Sequence, residues 1–238
     1  MRTLCVSLAL SVAVMTAMHA PAQQTALTTK VNVRMRLEFP QSRKQFRDPP
    51  AVMWLKPLQP TAPEPFPSHG PYTLMQKNRT FIPHLLVVPV GSKVLFPNRD
   101  PFFHNVFSLF EGQRFDLGLY EAGSTKELTF SRAGVSYIFC NIHPEMSAVV
   151  LALSTPYYAI ADTNGTFQIR DVPVGEYELH VWVEGLQRPE LGRLVHSVHL
   201  TASRGDLGKL VVTALPQVPA THLNKFGQPY WRDTKPTY

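Results

Sequence analysis

The sequence predicts an all-β protein, a larger sandwich followed by a smaller one. Three observations carry this. Among 238 residues, 22 Pro and 13 Gly punctuate short apolar runs and leave little room for long helices. Residues 28–39 alternate strictly, with Val31, Val33, Met35 and Leu37 on one face and Lys30, Asn32, Arg34, Arg36 and Glu38 on the other. That is the period of a half-buried strand. Past Ser154 the strand-and-turn pattern starts again around Asp162-Thr163-Asn164-Gly165, whose Asn-Gly pair is the strongest short hairpin signal.

Residues 1–22 read as a signal peptide and not as part of the fold. Arg2 is a positive start, Leu4 to Val14 is an apolar stretch, and Ala20-Pro21-Ala22 is a small-residue cleavage site. The apolar stretch is too short to span a bilayer. No lipidation box precedes Cys5, and no other run is long and apolar enough for a membrane helix. The expected destination is the periplasm or the outside of the cell.

Residues 23–153 are expected to form the larger domain. After the strand at 28–39 comes a short one, Ala51 to Leu55, behind Pro49-Pro50. A proline-rich arm over 56–71 holds Pro57, Pro60, Pro63, Pro65, Pro67 and Pro71, and its length suits a lid or a contact arm. Tyr72 to Gln76 resumes a strand. Residues 85–96 hold two apolar runs broken at Val90-Gly91-Ser92-Lys93, a hairpin or a corner, with Pro89 at an edge or a bulge. Further strands are expected at His104 to Phe110, Glu127 to Phe130, Ser136 to Cys140 and Ser147 to Leu153, with 111–125 as a long glycine-bearing loop.

Residues 154–215 are expected to form the smaller sandwich, with strands at Tyr157 to Ala161, Thr166 to Ile169, Tyr177 to Val183, Leu194 to Thr201 and Leu210 to Leu215. At about sixty residues such a unit is marginal alone and is expected to dock on the first domain. The tail 216–238, with Trp231 and Tyr238, has no periodicity. It is either disordered or laid across the surface through its aromatics.

The formal charge is +6, from 23 Lys and Arg against 17 Asp and Glu, and +5 once Arg2 is removed (22 − 17). The charges are scattered. No basic stripe carries interleaved aromatics, so no nucleic acid partner is implied. A mildly basic surface steers toward an acidic protein or another negative surface.

Export changes the cysteine arithmetic. Cys5 leaves with the signal, so the mature chain keeps one thiol, Cys140. Oxidising compartments pair cysteines, and a single leftover one is explained either as a metal ligand or as a buried inert side chain. Cys140 opens the run Cys140-Asn141-Ile142-His143-Pro144-Glu145-Met146 between two expected strands, and His104 stands upstream at a strand start. A thiolate, two imidazoles and a thioether are the donor set of a mononuclear electron-transfer copper centre. Pro144 stiffens the loop that brings three of them together. Zinc would accept His104, Cys140 and His143, with Glu145 beside an open position for hydrolysis. The thioether would then have no role, and no separate acid–base pair stands out, so catalysis is not expected. Among the remaining histidines, His84 is expected at the surface or hydrogen-bonded. His196 and His199 are three apart on a strand and face opposite sides, which argues against a shared metal.

Two stretches make the pattern more specific. Phe96-Pro97-Asn98-Arg99-Asp100-Pro101-Phe102-Phe103-His104-Asn105-Val106-Phe107-Ser108 and Ala133-Gly134-Val135-Ser136-Tyr137-Ile138-Phe139-Cys140-Asn141-Ile142-His143-Pro144-Glu145-Met146 resemble the cupredoxins, the blue-copper proteins. The short Cys-x2-His-x2-Met loop is most similar to that of the amicyanins. The resemblance covers roughly residues 72–153. It implies an eight-stranded Greek-key sandwich with one type 1 copper at one end. His104, Cys140 and His143 would be its equatorial ligands and Met146 its axial ligand. It implies that Asn105 bonds between the ligand loops and, with Pro144, steadies the site. It implies a redox protein partner that meets His143 through a ring of apolar residues, here Pro101, Phe102, Pro144 and Ile142. The proline-rich arm, the loop 111–125 and the second domain depart from small cupredoxins and could cover that edge. Residues 157–183 resemble the carboxypeptidase-regulatory-like, transthyretin-like module, which is structural or adhesive. The fusion is similar to exported proteins of the methylamine-utilisation or plastocyanin-like type. The expectation is an exported single-electron carrier; the alternative is a non-redox copper carrier or an adhesive pair of sandwiches.

Overall fold

A computed structural model describes residues 29–39, 48–60, 65–66, 70–109, 112–214, 216–217 and 222–230. The expected signal peptide, Pro63 and Pro67 of the arm, and Trp231 and Tyr238 of the tail lie outside the described residues. In chain order the elements are β1 (Lys30–Glu38), β2 (Ala51–Pro57), β3 (Tyr72–Thr73), β4 (Met75–Lys77), β5 (Thr80–Ile82), β6 (Leu85–Pro89), β7 (Ser92–Pro97), β8 (His104–Ser108), β9 (Phe115–Tyr120), β10 (Thr125–Phe130), β11 (Gly134–Cys140), β12 (His143–Leu153), β13 (Tyr158–Ile160), β14 (Thr166–Pro173), β15 (Gly175–Val183), α1 (Arg188–Gly192), β16 (His196–Leu200) and β17 (Asp206–Val211). The fold is all-β apart from the one-turn α1.

The strands make two sandwiches. In one, the sheet β6-β12-β11-β8-β9 faces the sheet β10-β7-β3, with the β4–β5 hairpin alongside. Between them lie Val88, Val94, Phe96, Val106, Phe130, Ile138, Ala148 and Val150. In the other, β14-β1-β17 faces β13-β2-β15-β16 around Val33, Met35, Leu37, Met53, Leu55, Phe167, Ile169, Tyr177 and Val181.

The division expected after Leu153 is therefore corrected. β1 pairs with β14 (Met35 opposite Phe167) and lies parallel to β17, while β2 pairs with β13 and β15. β1 and β2 belong to the second sandwich, which frames the first as an insertion between β2 and β13. The alternation in β1 identified its buried face correctly, since Val33, Met35 and Leu37 are the buried residues. A period of two says that a face is buried, not what buries it. The added strands also enlarge a core that sixty residues would leave marginal.

Three smaller expectations change. Phe115–Tyr120 is an edge strand and not a loop; Gly118, at φ 71°, and a register shift against β8 break the alternation, leaving Leu119 exposed and Tyr120 buried. Among the described residues the last strand is β17, which starts at Asp206, earlier than the expected Leu210, and ends at Val211. Residues 90–91 turn a corner between sheets, because β6 pairs with β12 and β7 with β10. Pro89 ends the edge strand β6, where its missing N–H costs no ladder bond.

The two sandwiches stack through faces that alternation leaves over. On β12, Ala148, Val150 and Ala152 point into the inserted core, while Val149, Leu151 and Leu153 point outward. Those three meet Val52 of β2 and Trp182 of β15, with Trp54 and Tyr137 packed beside them. This explains the unbroken apolar run 148–153: β12 is buried on both faces.

His84 bridges the sandwiches at the rim of that layer. Its Nε2 lies 2.8 Å from Glu184 Oε1 and its Nδ1 3.1 Å from the Ser147 carbonyl. Only the imidazolium can donate at both nitrogens, and the Glu184 carboxylate raises the His84 pKa above its usual value despite the opposing effect of burial. The stabilisation is fully present below the unfolded pKa of about 6.5 and is lost as pH rises through the higher folded pKa. His84 is part exposed, so the effect is expected to stay under about 1 kcal/mol. Thermal unfolding of His84→Gln followed from pH 5 to 8 should lack that extra loss of stability; an unchanged pH profile would remove His84 from the bridge.

Candidate metal centre

The site is built at one end of the inserted sandwich. β8 begins at His104, β11 ends at Cys140 and β12 begins at His143. The chain turns through Asn141-Ile142, so Cys140 and His143 sit opposite each other in the β11–β12 ladder. The next pair is Phe139 with Ser147, which leaves Pro144, Glu145 and Met146 bulged out of register. Met146 is 1% exposed and packs in the same core as Cys140.

Cys140 Sγ lies 3.6 Å from Nδ1 of His104 and 3.6 Å from Nδ1 of His143. All three donor atoms fall within 4.8 Å of one another. Donors held at about 2.1 and 2.3 Å from one ion and opened by about 110–120° stand about 3.6–3.8 Å apart. The two sulfur–nitrogen spacings therefore match those around a shared ion. His104 and Cys140 are fully buried and His143 is half-buried, so the centre is dry on one side and reaches the surface on the other.

Each candidate donor is held from behind. Asp100 Oδ2 accepts from His104 Nε2 at 2.8 Å, which fixes the tautomer and turns the Nδ1 lone pair toward Cys140. Asp100 also accepts the main-chain N–H groups of Asn78 (2.6 Å) and Arg79 (2.9 Å) from the β4–β5 turn. Both turn residues have positive φ, 55° and 54°, the backbone of a tight hairpin turn. Burial opposes ionisation of Asp100, but the Arg79 N–H, the His104 ring and the Asn78 N–H outweigh it and hold the carboxyl below its usual range. At Cys140, burial raises the thiol pKa, partly offset by N–H groups of Asn105, Ile142 and His143 directed at the sulfur. Those groups would stabilise a thiolate once a cation displaces the proton. Burial, then the neighbouring His104, lowers the His143 pKa, which favours the neutral, ligating imidazole.

Of the residues expected to steady the site, Asn105 accepts from the Asn141 N–H at 3.3 Å and donates to Asp116 Oδ1 at 2.7 Å. Of the expected apolar ring, Phe102 is 5.6 Å from the His143 ring centroid and 5.2 Å from that of His104. Ile142 is 45% exposed, Pro101 is exposed and Pro144 half-buried. Two residues not expected from the sequence also lie here: Phe103, 51% exposed next to Phe102, and Arg79, whose guanidinium lies 5.4 Å from the Phe102 ring. Asp100 was likewise not expected to take part in the site. The signal available was a carboxylate four residues before the ligand His104.

No family model matches the sequence and no curated protein matches it. Solved structures do match parts of the chain. A purple cupredoxin from Nitrosopumilus maritimus is 24% identical over 34% of this chain and 99% of its own, with a TM-score of 0.32. A copper(I) amicyanin variant is 22% identical over 36% of this chain and 85% of its own, with a TM-score of 0.34. A copper-containing nitrite reductase from Thermus scotoductus is 24% identical over 42% of this chain and 26% of its own, with a TM-score of 0.34.

Proposed function

We propose that the chain is an exported type 1 copper protein that carries single electrons. The observation that supports this most directly is the convergence of Cys140 Sγ with two histidine δ-nitrogens in a buried pocket, with the Met146 thioether in the same core. His104, Cys140 and His143 would hold the ion, and Met146 would be its weak fourth donor. Copper supplies a reversible one-electron change between Cu(II) and Cu(I). The protein supplies a frame that changes little between those states: His104 is locked by Asp100, the Cys140 sulfur faces three main-chain N–H groups, and the donors stand at strand ends of a packed sandwich. His143 is the part-exposed ligand, and the apolar surface of Pro101, Phe102 and Ile142 near it suits a redox protein partner. The framing sandwich would serve as scaffold. Export rests on the pattern in residues 1–22. No helix among the described residues is long and apolar enough to cross a membrane.

Metal analysis and a visible spectrum of the purified chain test the proposal. One copper per chain, intense visible absorption and reversible cycling with a small mediator are expected. Copper without cycling would make the protein a carrier, and zinc in its place would reopen hydrolysis. Met146→Leu is expected to retain one copper and to raise the reduction potential, since losing a sulfur donor disfavours Cu(II) more than Cu(I). An unchanged potential would take Met146 out of the ligand set.

A further inference from the structure

The tail segment 222–230 has no repeating pattern, yet it is tied to the ligand loop at several points. The His222 N–H donates to the Pro144 carbonyl at 3.2 Å, the Lys225 N–H to Asn141 Oδ1 at 2.8 Å, and the Tyr230 hydroxyl to the Cys140 carbonyl at 3.1 Å. The His222 ring stacks on Phe139 with centroids 4.3 Å apart and meets Phe107 and Tyr230 edge-on. Lys225 Nζ reaches Asp116 Oδ2 at 2.9 Å, and Lys225 thereby closes a ring of hydrogen bonds. It runs from Lys225 to Asn141, from Asn141 to Asn105, from Asn105 to Asp116 and back to Lys225. The ring joins the consecutive strands β8 and β9 to the ligand loop and the tail, both distant from them in sequence.

We infer that residues 222–230 are a clamp on the ligand loop, with Lys225 and Tyr230 as its positioning residues. The four residues Cys140 to His143 carry two donors on the side facing the pocket. On the other side the β11–β12 ladder holds the loop only through the Cys140–His143 pair, because the register shifts after Phe139. The clamp fills that side. It anchors the carbonyl of Cys140 itself, holds Asn141 at its side chain while Asn105 holds its N–H, and fixes Pro144 just past His143. The stacked rings of Phe139 and His222 sit two residues along β11 from Tyr137, which packs in the layer between the sandwiches. Loop rigidity, and with it the geometry of the donors, thus depends on a segment beyond both sandwiches. The consequence for copper rests on the function proposed above; the mechanical claim does not.

The test uses the full chain carrying Tyr230→Phe with Lys225→Met, and Lys225→Arg as the conservative variant. In the metal-free protein, amide hydrogen exchange at Asn141, Ile142 and His143 should speed up by about tenfold or more in the double variant while β15 stays protected, and Lys225→Arg should stay near wild type. In the copper-loaded protein, transfer of copper to a chelator should quicken by about tenfold, with a shifted visible band. Unchanged loop exchange in the double variant would overturn the clamp. Faster exchange in a chain that takes up no copper would leave the clamp standing and remove the copper reading.

Discussion

Cys140→Ser is expected to abolish the visible absorption of the copper-loaded chain altogether. An intense visible band needs a thiolate on the copper, and Cys140 is the free cysteine of the described residues, fully buried between two histidine nitrogens. The serine hydroxyl is nearly the same size, so the pocket should survive. It is a harder donor that stays protonated near neutral pH, and the N–H groups aimed at the sulfur then have no anion to meet. Copper content by metal analysis, the visible spectrum and thermal unfolding together separate the loss of the ligand from the loss of the fold. The expected result is a folded, colourless protein that binds copper far more weakly. A serine variant that remained intensely coloured would sink the assignment of Cys140, and the proposed function with it.

Trp182→Ala should give the largest loss of stability away from the site. Trp182 is 2% exposed and lies between the sandwiches against Val52 and the outer face of β12, with its indole N–H 3.4 Å from the Tyr137 hydroxyl. Truncating a buried tryptophan costs about 3–5 kcal/mol through lost burial and the cavity left behind. For a chain of this size that corresponds to a fall in Tm of about 6–20 °C. Because Trp182 packs on the face of β12 opposite the metal pocket, the visible spectrum should be unchanged, and Trp182→Phe should restore part of the loss. A fall of less than about 2 °C would show that the layer of Val149, Leu151 and Trp182 does not hold the two sandwiches together.

The sequence exposed the donors well because their chemistry is local. Cys140, His143 and Met146 fall within seven residues, and a thioether beside a thiol and an imidazole narrows the choice of metal without any knowledge of the fold. His104 was legible through its place at a strand start. Asp100 was not, because an aspartate in a proline-bounded turn looks the same whether it meets solvent or a buried imidazole. Its importance comes from the β4–β5 turn, which presents two N–H groups to it across more than twenty residues of chain. Lys225 and Tyr230 were hidden for the same reason: a segment without periodicity carries no sign of where it lies.

By itself the sequence determined which residues turn inward. The alternation of β1 and the unbroken run in β12 state one buried face and two, because successive side chains of a strand must point to opposite sides. It also determined that a thiol, an imidazole and a thioether fall within one short loop. Only the tertiary structure decided the partners. The N–H and C=O groups that pair β1 with β14 and β2 with β15 are the same on every residue, so nothing local names the strand they will meet. The framing of one sandwich by the two ends of the chain, the bracing of His104 by Asp100 and the tail across the ligand loop all follow from packing between distant segments. Those contacts turn a set of donors into a site of fixed shape.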